Sequence, residues 1–135
     1  MTLSTLRPAG QMMAYLPRQV REALAAFQAR VLALFPDDVL QIILYGSYVR
    51  DEATPDSDVD VMLVVNWTDP HNKTVLYLPG ASDPRWAQVV DIATDTTIQY
   101  GPLISVFPIS WPLFNTDLPI AKAAKDEGIV LWQKK

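Results

Sequence analysis

The sequence contains no cysteine, which removes disulfides, thiol nucleophiles and thiolate metal ligands together. It contains a single histidine, His71, so a zinc site of imidazoles and thiolates has no ligands to draw on. His71 stands in a polar stretch that reads as an exposed loop. Long apolar runs are missing too: none approaches the roughly 20 residues that a membrane helix requires. The stretch from Thr2 to Arg7 lacks a basic region followed by an apolar core and does not read as a secretory signal. Positive charge is scarce. Eleven Lys and Arg stand against 15 Asp and Glu, a net charge of −4, whereas a protein that tracks a nucleic-acid backbone carries a basic footprint. These absences point to a cytoplasmic domain with no membrane association and no extended nucleic-acid binding. Nucleotides stay open as substrates, because a metal ion can bring positive charge locally.

What is present is an ordinary globular composition. Of 135 residues, 50% are hydrophobic and 19% charged, enough for one domain with a core. Residues 1–16 show no period and contain Pro8 and Gly10, so they read as an N-terminal arm; residues 17–135 read as a single domain. Val20, Leu24, Phe27, Val31 and Leu34 recur at spacings of four and three, which predicts a helix opened by Pro17 and running to about Phe35. A strand follows over 39–45, and a second over about 58–65. Residues 66–82 are the least readable; 74–78 within them read as a short strand or hairpin arm. Trp67 and Tyr77 there either stack on a base or cover the core edge. Ser82-Asp83-Pro84 opens a helix that Gly101 closes, with Trp86, Val89, Val90, Ala93, Thr97 and Tyr100 facing inward. Asp91 and Asp95 share its other face, either as solvated acids or as metal ligands, the first reading being favoured. A strand over 103–109, a turn, a helix from about Asp117 to Glu127 and an apolar tail from Ile129 to Trp132 complete the chain. Trp132 reads as a docking anchor or an oligomer contact. The element order predicts an α/β (α+β) domain with a small mixed sheet and helices packed on one side.

The chemistry concentrates in one stretch. The run Val39–Tyr45 leads into Gly46-Ser47-Tyr48-Val49-Arg50, and a short acidic loop follows. The next run, Ser57-Asp58-Val59-Asp60-Val61, carries two carboxylates on one strand face, because side chains alternate with period two. Two such carboxylates repel each other unless a cation sits between them. Magnesium suits the pair, since it takes one or two protein carboxylates and fills its remaining positions with water and substrate phosphates. Gly46 lets the backbone approach a phosphate, and Ser47 adds a hydroxyl donor. The alternatives are a solvated strand entrance for Asp58 and Asp60 and a turn or helix N-cap for Ser47. Arg50 either contacts phosphate or pairs with Asp51 or Glu52.

Gly46, Ser47, Arg50, Ala53, Ser57, Asp58 and Asp60 fall in register with the Gly-Ser-x-x-Arg-Gly-x-Ala-x-x-x-Ser-Asp-x-Asp loop. This motif resembles that of the DNA polymerase β-like nucleotidyltransferase superfamily, and in particular its minimal, antitoxin-type members. Glu127-Gly128-Ile129-Val130-Leu131 resembles the Glu-Gly-hydrophobic ending of several small members. The resemblance covers roughly residues 17–132 and implies the nucleotidyltransferase fold. It implies an NTP, with ATP the favoured one, held at Gly46, Ser47 and Arg50, with Asp58 and Asp60 as catalytic residues and Mg2+ ligands. A nucleoside monophosphate would pass to an acceptor hydroxyl. It also implies a helical toxin-type protein partner, and a homodimer is a further expectation. Two departures stand out. The family glycine after the arginine is Asp51 here. The third carboxylate that active members carry on a neighbouring strand is absent from the strand 103–109, where Ser105 is the candidate for its place. Those departures leave a second reading, a catalytically degenerate member that acts as a binding partner or nucleotide sensor.

Overall fold

The computed structural model describes residues 15–135 and the backbone of Arg7–Pro8. The described residues form, in order, β1 (Arg7–Pro8), α1 (Arg18–Leu34), β2 (Val39–Tyr45), β3 (Val59–Val65), α2 (Pro84–Tyr100), β4 (Ile104–Ser110), α3 (Trp111–Phe114), α4 (Pro119–Glu127) and β5 (Ile129–Gln133). The strands form one mixed sheet in the order β1-β5-β2-β3-β4. β2 pairs antiparallel with both β3 and β5, and β4 lies parallel to β3. A parallel pair needs a crossover, and α2 supplies it. The arm expected over 1–16 lies mostly outside the described residues; its described backbone pairs in parallel with β5. Among the described residues no helix is long and apolar enough to cross a membrane.

Strand alternation splits the apolar residues between two cores. Val59, Val61, Leu63 and Val65 face the two long helices, and Val20, Leu24, Phe27 and Val31 of α1 meet them there. Met62 and Val64 face the other way, joined by Ile43, Ile109, Phe114, Ala121 and Ala124. The long helices thus lie on one side, as the sequence suggests, while short α3 and α4 cover the opposite face. A register irregularity in β2 lets Val39 and Ile42, three apart, serve the first core while Leu40 packs on the second. Gly128 closes α4 with its N–H on Ala124 O at 2.9 Å. A Cβ at Gly128 would overlap Ala124 O and crowd Ile43, so the glycine permits the close approach of α4 to β2.

The long connection from β3 to α2 is stapled rather than strand-like; 74–78 form no strand. Asp83 is fully buried and caps α2, accepting from Arg85 N at 2.9 Å. Its carboxylate also accepts from Arg85 Nε at 3.0 Å, Arg85 Nη2 at 2.8 Å and Tyr77 Oη at 2.7 Å. The Arg85 guanidinium lies over the Trp67 ring, 4.7 Å from its centroid, and Trp67 Nε1 donates to Asp38 at 3.0 Å. Trp67 and Tyr77 are both buried, so they cover the core edge and have no face to offer a base. The free edge of β4 is guarded along its length: Ser110 N donates to Tyr77 O of this loop at 2.9 Å, Pro108 has no N–H, and Ile104 N donates to Thr97 Oγ1 of α2 at 3.2 Å.

On α2, Val89 and Ala93 are buried as expected, but Val90 is 40% exposed and Thr96 takes the inward place. The Thr96 hydroxyl satisfies itself on Ile92 O at 2.7 Å and accepts from Arg30 Nη1 at 3.2 Å. Asp91 and Asp95 are exposed, which is the solvated-face reading. Trp132 is half-buried against the first core.

Candidate active site

β2 ends at Tyr45, and the chain turns at Gly46 with φ of 83°, a conformation that favours glycine. A Cβ there would overlap a carboxylate oxygen of Asp60 and stand 3.0 Å from its Cγ. The glycine is therefore what allows the turn and the carboxylate to touch. Gly46 O accepts from Val49 N at 3.1 Å and Arg50 N at 3.3 Å, and Ser47 O accepts from Glu52 N at 3.0 Å. These bonds close a compact turn rather than a helix, so the N-cap reading of Ser47 does not apply. The N–H groups of Ser47 and Tyr48 and the Ser47 hydroxyl make no hydrogen bond among the described residues. Consecutive free N–H groups in a turn form a concavity suited to an anion. Asp51 has φ of 59°, which explains why glycine suits this position and why an aspartate, tolerant of left-handed backbone, can stand in.

Asp60 lies in β3 between two neighbours: Tyr45 of β2 on one side and Ser105 of β4 on the other. It points to the face that carries Met62 and Val64, with exposed Asp58 one alternation earlier. Burial pushes the Asp60 carboxyl above its ordinary range, Asp58 adds to the shift, and Arg50 opposes it. The Tyr45 phenol is pushed up to about 12 by burial and by the Asp60 charge. A site whose two carboxylates lie close enough to repel is one that a cation relieves. Two carboxylates are donors of the kind magnesium takes, and the ion would leave its remaining positions to water and phosphate. Among the described residues no third carboxylate joins the pair. Ser105 is the β4 residue paired with Asp60, and among the described residues no group of three acidic, histidine or cysteine side chains could hold a metal.

Arg50 has a definite place. Its Nε donates to Glu52 Oε1 at 2.7 Å and its Nη1 to Glu127 Oε1 at 2.9 Å. Within the acidic loop the guanidinium pairs with Glu52 and not with Asp51. Sequence reasoning gave Glu127 no partner, because 77 residues separate it from Arg50. The signal was there in Glu127-Gly128, since the tight glycine after α4 sets where the carboxylate stands. The structure thus brings Gly46, Ser47, Asp58 and Asp60 to one end of the sheet, with Arg50 at the far end of the same turn.

Residues 22–103 match the description of a nucleotidyltransferase domain. A protein of Methanocaldococcus jannaschii, provisionally named a protein adenylyltransferase, is 26% identical over 113 residues, spanning 82% of this chain and 96% of that protein. The fold resembles a crystal structure of a toxin–antitoxin with AMP-PNP, with a TM-score of 0.52 and 16% identity over 81% of this chain and 73% of that one. A provisionally named nucleotidyltransferase from Sulfolobus solfataricus aligns over 86% of this chain and 84% of its own with a TM-score of 0.48 and 13% identity. The match to the domain description spans more than half of the sequence, and the chain belongs to the nucleotidyltransferase domain family.

Proposed function

We propose that this protein transfers a nucleoside monophosphate from ATP to a hydroxyl on a protein. One observation carries the reading: a glycine turn with free N–H groups packs directly on Asp60, and Asp58, just before β3, is near enough to raise the Asp60 carboxyl. The turn binds phosphate oxygens through the N–H groups of Ser47 and Tyr48 and the Ser47 hydroxyl. Asp58 and Asp60 would hold Mg2+, which when bound neutralises phosphate charge. The chain's own contribution is to orient the triphosphate across the end of the sheet and to leave the α-phosphorus open to the acceptor. The acceptor oxygen bonds to that phosphorus as its bond to the bridging oxygen breaks. Pyrophosphate departs with the electron pair, and the hydroxyl proton passes to solvent.

ATP and a protein acceptor are favoured by the relative named for protein adenylyl transfer, and ATP also by the AMP-PNP of the structural neighbour. That neighbour's toxin–antitoxin assembly favours a toxin-type protein as acceptor and binding partner. The low positive charge of the chain argues against a nucleic-acid acceptor. The test is incubation of the purified chain with ATP labelled at the α-phosphate, Mg2+ and the protein encoded beside it. Label on the partner with release of pyrophosphate supports the reading; label on neither chain, with ATP intact, counts against it.

A second reading is favoured by Ser105 beside Asp60: a degenerate member that binds a partner or nucleotide without turnover. It predicts nucleotide binding or partner binding with no transfer of label.

A further inference from the structure

Arg50 is the one cation that the phosphate-turn segment 46–52 carries, and it is already engaged. Glu52 and Glu127 take its Nε and Nη1 at 2.7 and 2.9 Å. A guanidinium between two carboxylates presents a net negative charge to an incoming triphosphate. The hydrogen bonds that Arg50 donates to Glu52 and Glu127 also raise its pKa, so it stays charged. Its remaining terminal nitrogen makes no hydrogen bond among the described residues.

The two acids are not equivalent. Glu52 lies on the turn itself and its side chain is 62% exposed. The Glu127 side chain is 28% exposed and stands at the junction of α4 and β5. Gly128 is pressed between Ala124 O and Ile43, and Ile129 is in register with Leu44 of β2. Glu127 is thus tied to the sheet at the end of α4, whereas Glu52 belongs to the turn itself. Beside them runs an open groove of about 780 Å3 lined by Tyr15, Leu16, Tyr48, Arg50, Asp51 and Glu127.

We propose that Glu127 is a positioning residue that holds Arg50 back from the phosphate site, so that a triphosphate must displace a carboxylate to engage the guanidinium. The exchange is chemically matched, because carboxylate and phosphate compete for the same planar donor fork. The clamp sets nucleotide affinity and favours ligands with enough phosphate charge to open it. This inference rests on the nucleotide-binding reading above.

The experiment is calorimetric titration of ATP with Mg2+ into four proteins: wild type, Glu127→Gln, Arg50→Ala and the double variant, with adenosine as the phosphate-free control. Glu127→Gln is expected to tighten ATP binding about fivefold and to leave adenosine unchanged. In the Arg50→Ala background the same substitution is expected to change nothing. In a fifth protein, Glu127→Asp, which keeps the charge on a shorter arm, ATP affinity is expected to fall between wild type and Glu127→Gln. Tightening of equal size with and without Arg50 would mean general charge removal and overturns the clamp. Wild-type binding that Glu127→Gln leaves unchanged or weakens overturns it while sparing the nucleotide reading. Absence of binding in all four proteins overturns both. Melting curves of each variant separate a folding defect from a binding effect.

Discussion

Replacing Asp83 with alanine tests whether the long connection is held by its buried ion pair. The substitution removes an acceptor of four hydrogen bonds: the cap of α2, two contacts with the Arg85 side chain and the Tyr77 hydroxyl. Breaking a buried pair from one side costs about 3–5 kcal/mol, and loss of an N-cap about 1 kcal/mol. The Arg85 side chain is 31% exposed and keeps Thr68 O at 2.9 Å and the Trp67 ring, so it is only partly stranded. The expected loss is therefore near the lower bound, about 3 kcal/mol in total. Asp83→Asn retains the cap and should lose about 1 kcal/mol less. The assay is urea denaturation at pH 7 followed by tryptophan fluorescence, since Trp67 reports the region directly. The pH dependence has a definite sign. Burial pushes the Asp83 carboxyl up, but bonds from Arg85 and Tyr77 outweigh burial and hold it below its ordinary value. Its contribution is complete above the unfolded pKa of about 3.9 and disappears as pH falls through the lower folded value. The wild type should thus lose stability below about pH 4 more steeply than Asp83→Asn. A loss under about 1 kcal/mol for Asp83→Ala, or parallel acid profiles, would refute the reasoning.

Gly46→Ala forces a Cβ onto the Asp60 carboxylate at a positive φ. It should cost at least about 1–2 kcal/mol in thermal or urea unfolding and eliminate ATP binding by titration. Asp51→Gly relieves a left-handed aspartate and should raise the melting temperature slightly, whereas Asp51→Val should lower it. Asp60→Asn removes a partly buried charge that Asp58 repels; the metal-free protein should melt higher, while metal-dependent nucleotide binding is lost. Ser105→Asp places an acid beside Asp60. If the missing carboxylate limits the site, Mg2+ affinity should rise about tenfold or more by titration.

The long elements were legible because their periodicities were clean. The stripe from Val20 to Val31 and the run Val39–Tyr45 needed no tertiary information, and β2 came with its bounds intact. Asp58, Asp60 and Gly46 were legible for the same reason, since strand alternation and a terminal glycine are local. The misses are long-range. Residues 74–78 look like a strand, yet their polar groups are taken by Ser110 and the loop turns on itself. Val90 fits the apolar stripe of α2 but falls beyond the surface that α1 covers. The Arg50–Glu127 pair and the Arg85–Trp67–Asp38 chain join residues that only the folded sheet brings together. The helix over 117–127 was legible, but its place opposite the long helices was not, because nothing local to a short helix says which face of the sheet it covers.

The most direct measurement is titration of ATP into the wild type and into an Asp58→Ala, Asp60→Ala double variant, each with and without Mg2+. The wild type is expected to bind ATP in a Mg2+-dependent way, and the double variant to lose that binding. Binding that survives the loss of both carboxylates, or a wild type that binds no ATP, would contradict the proposed function.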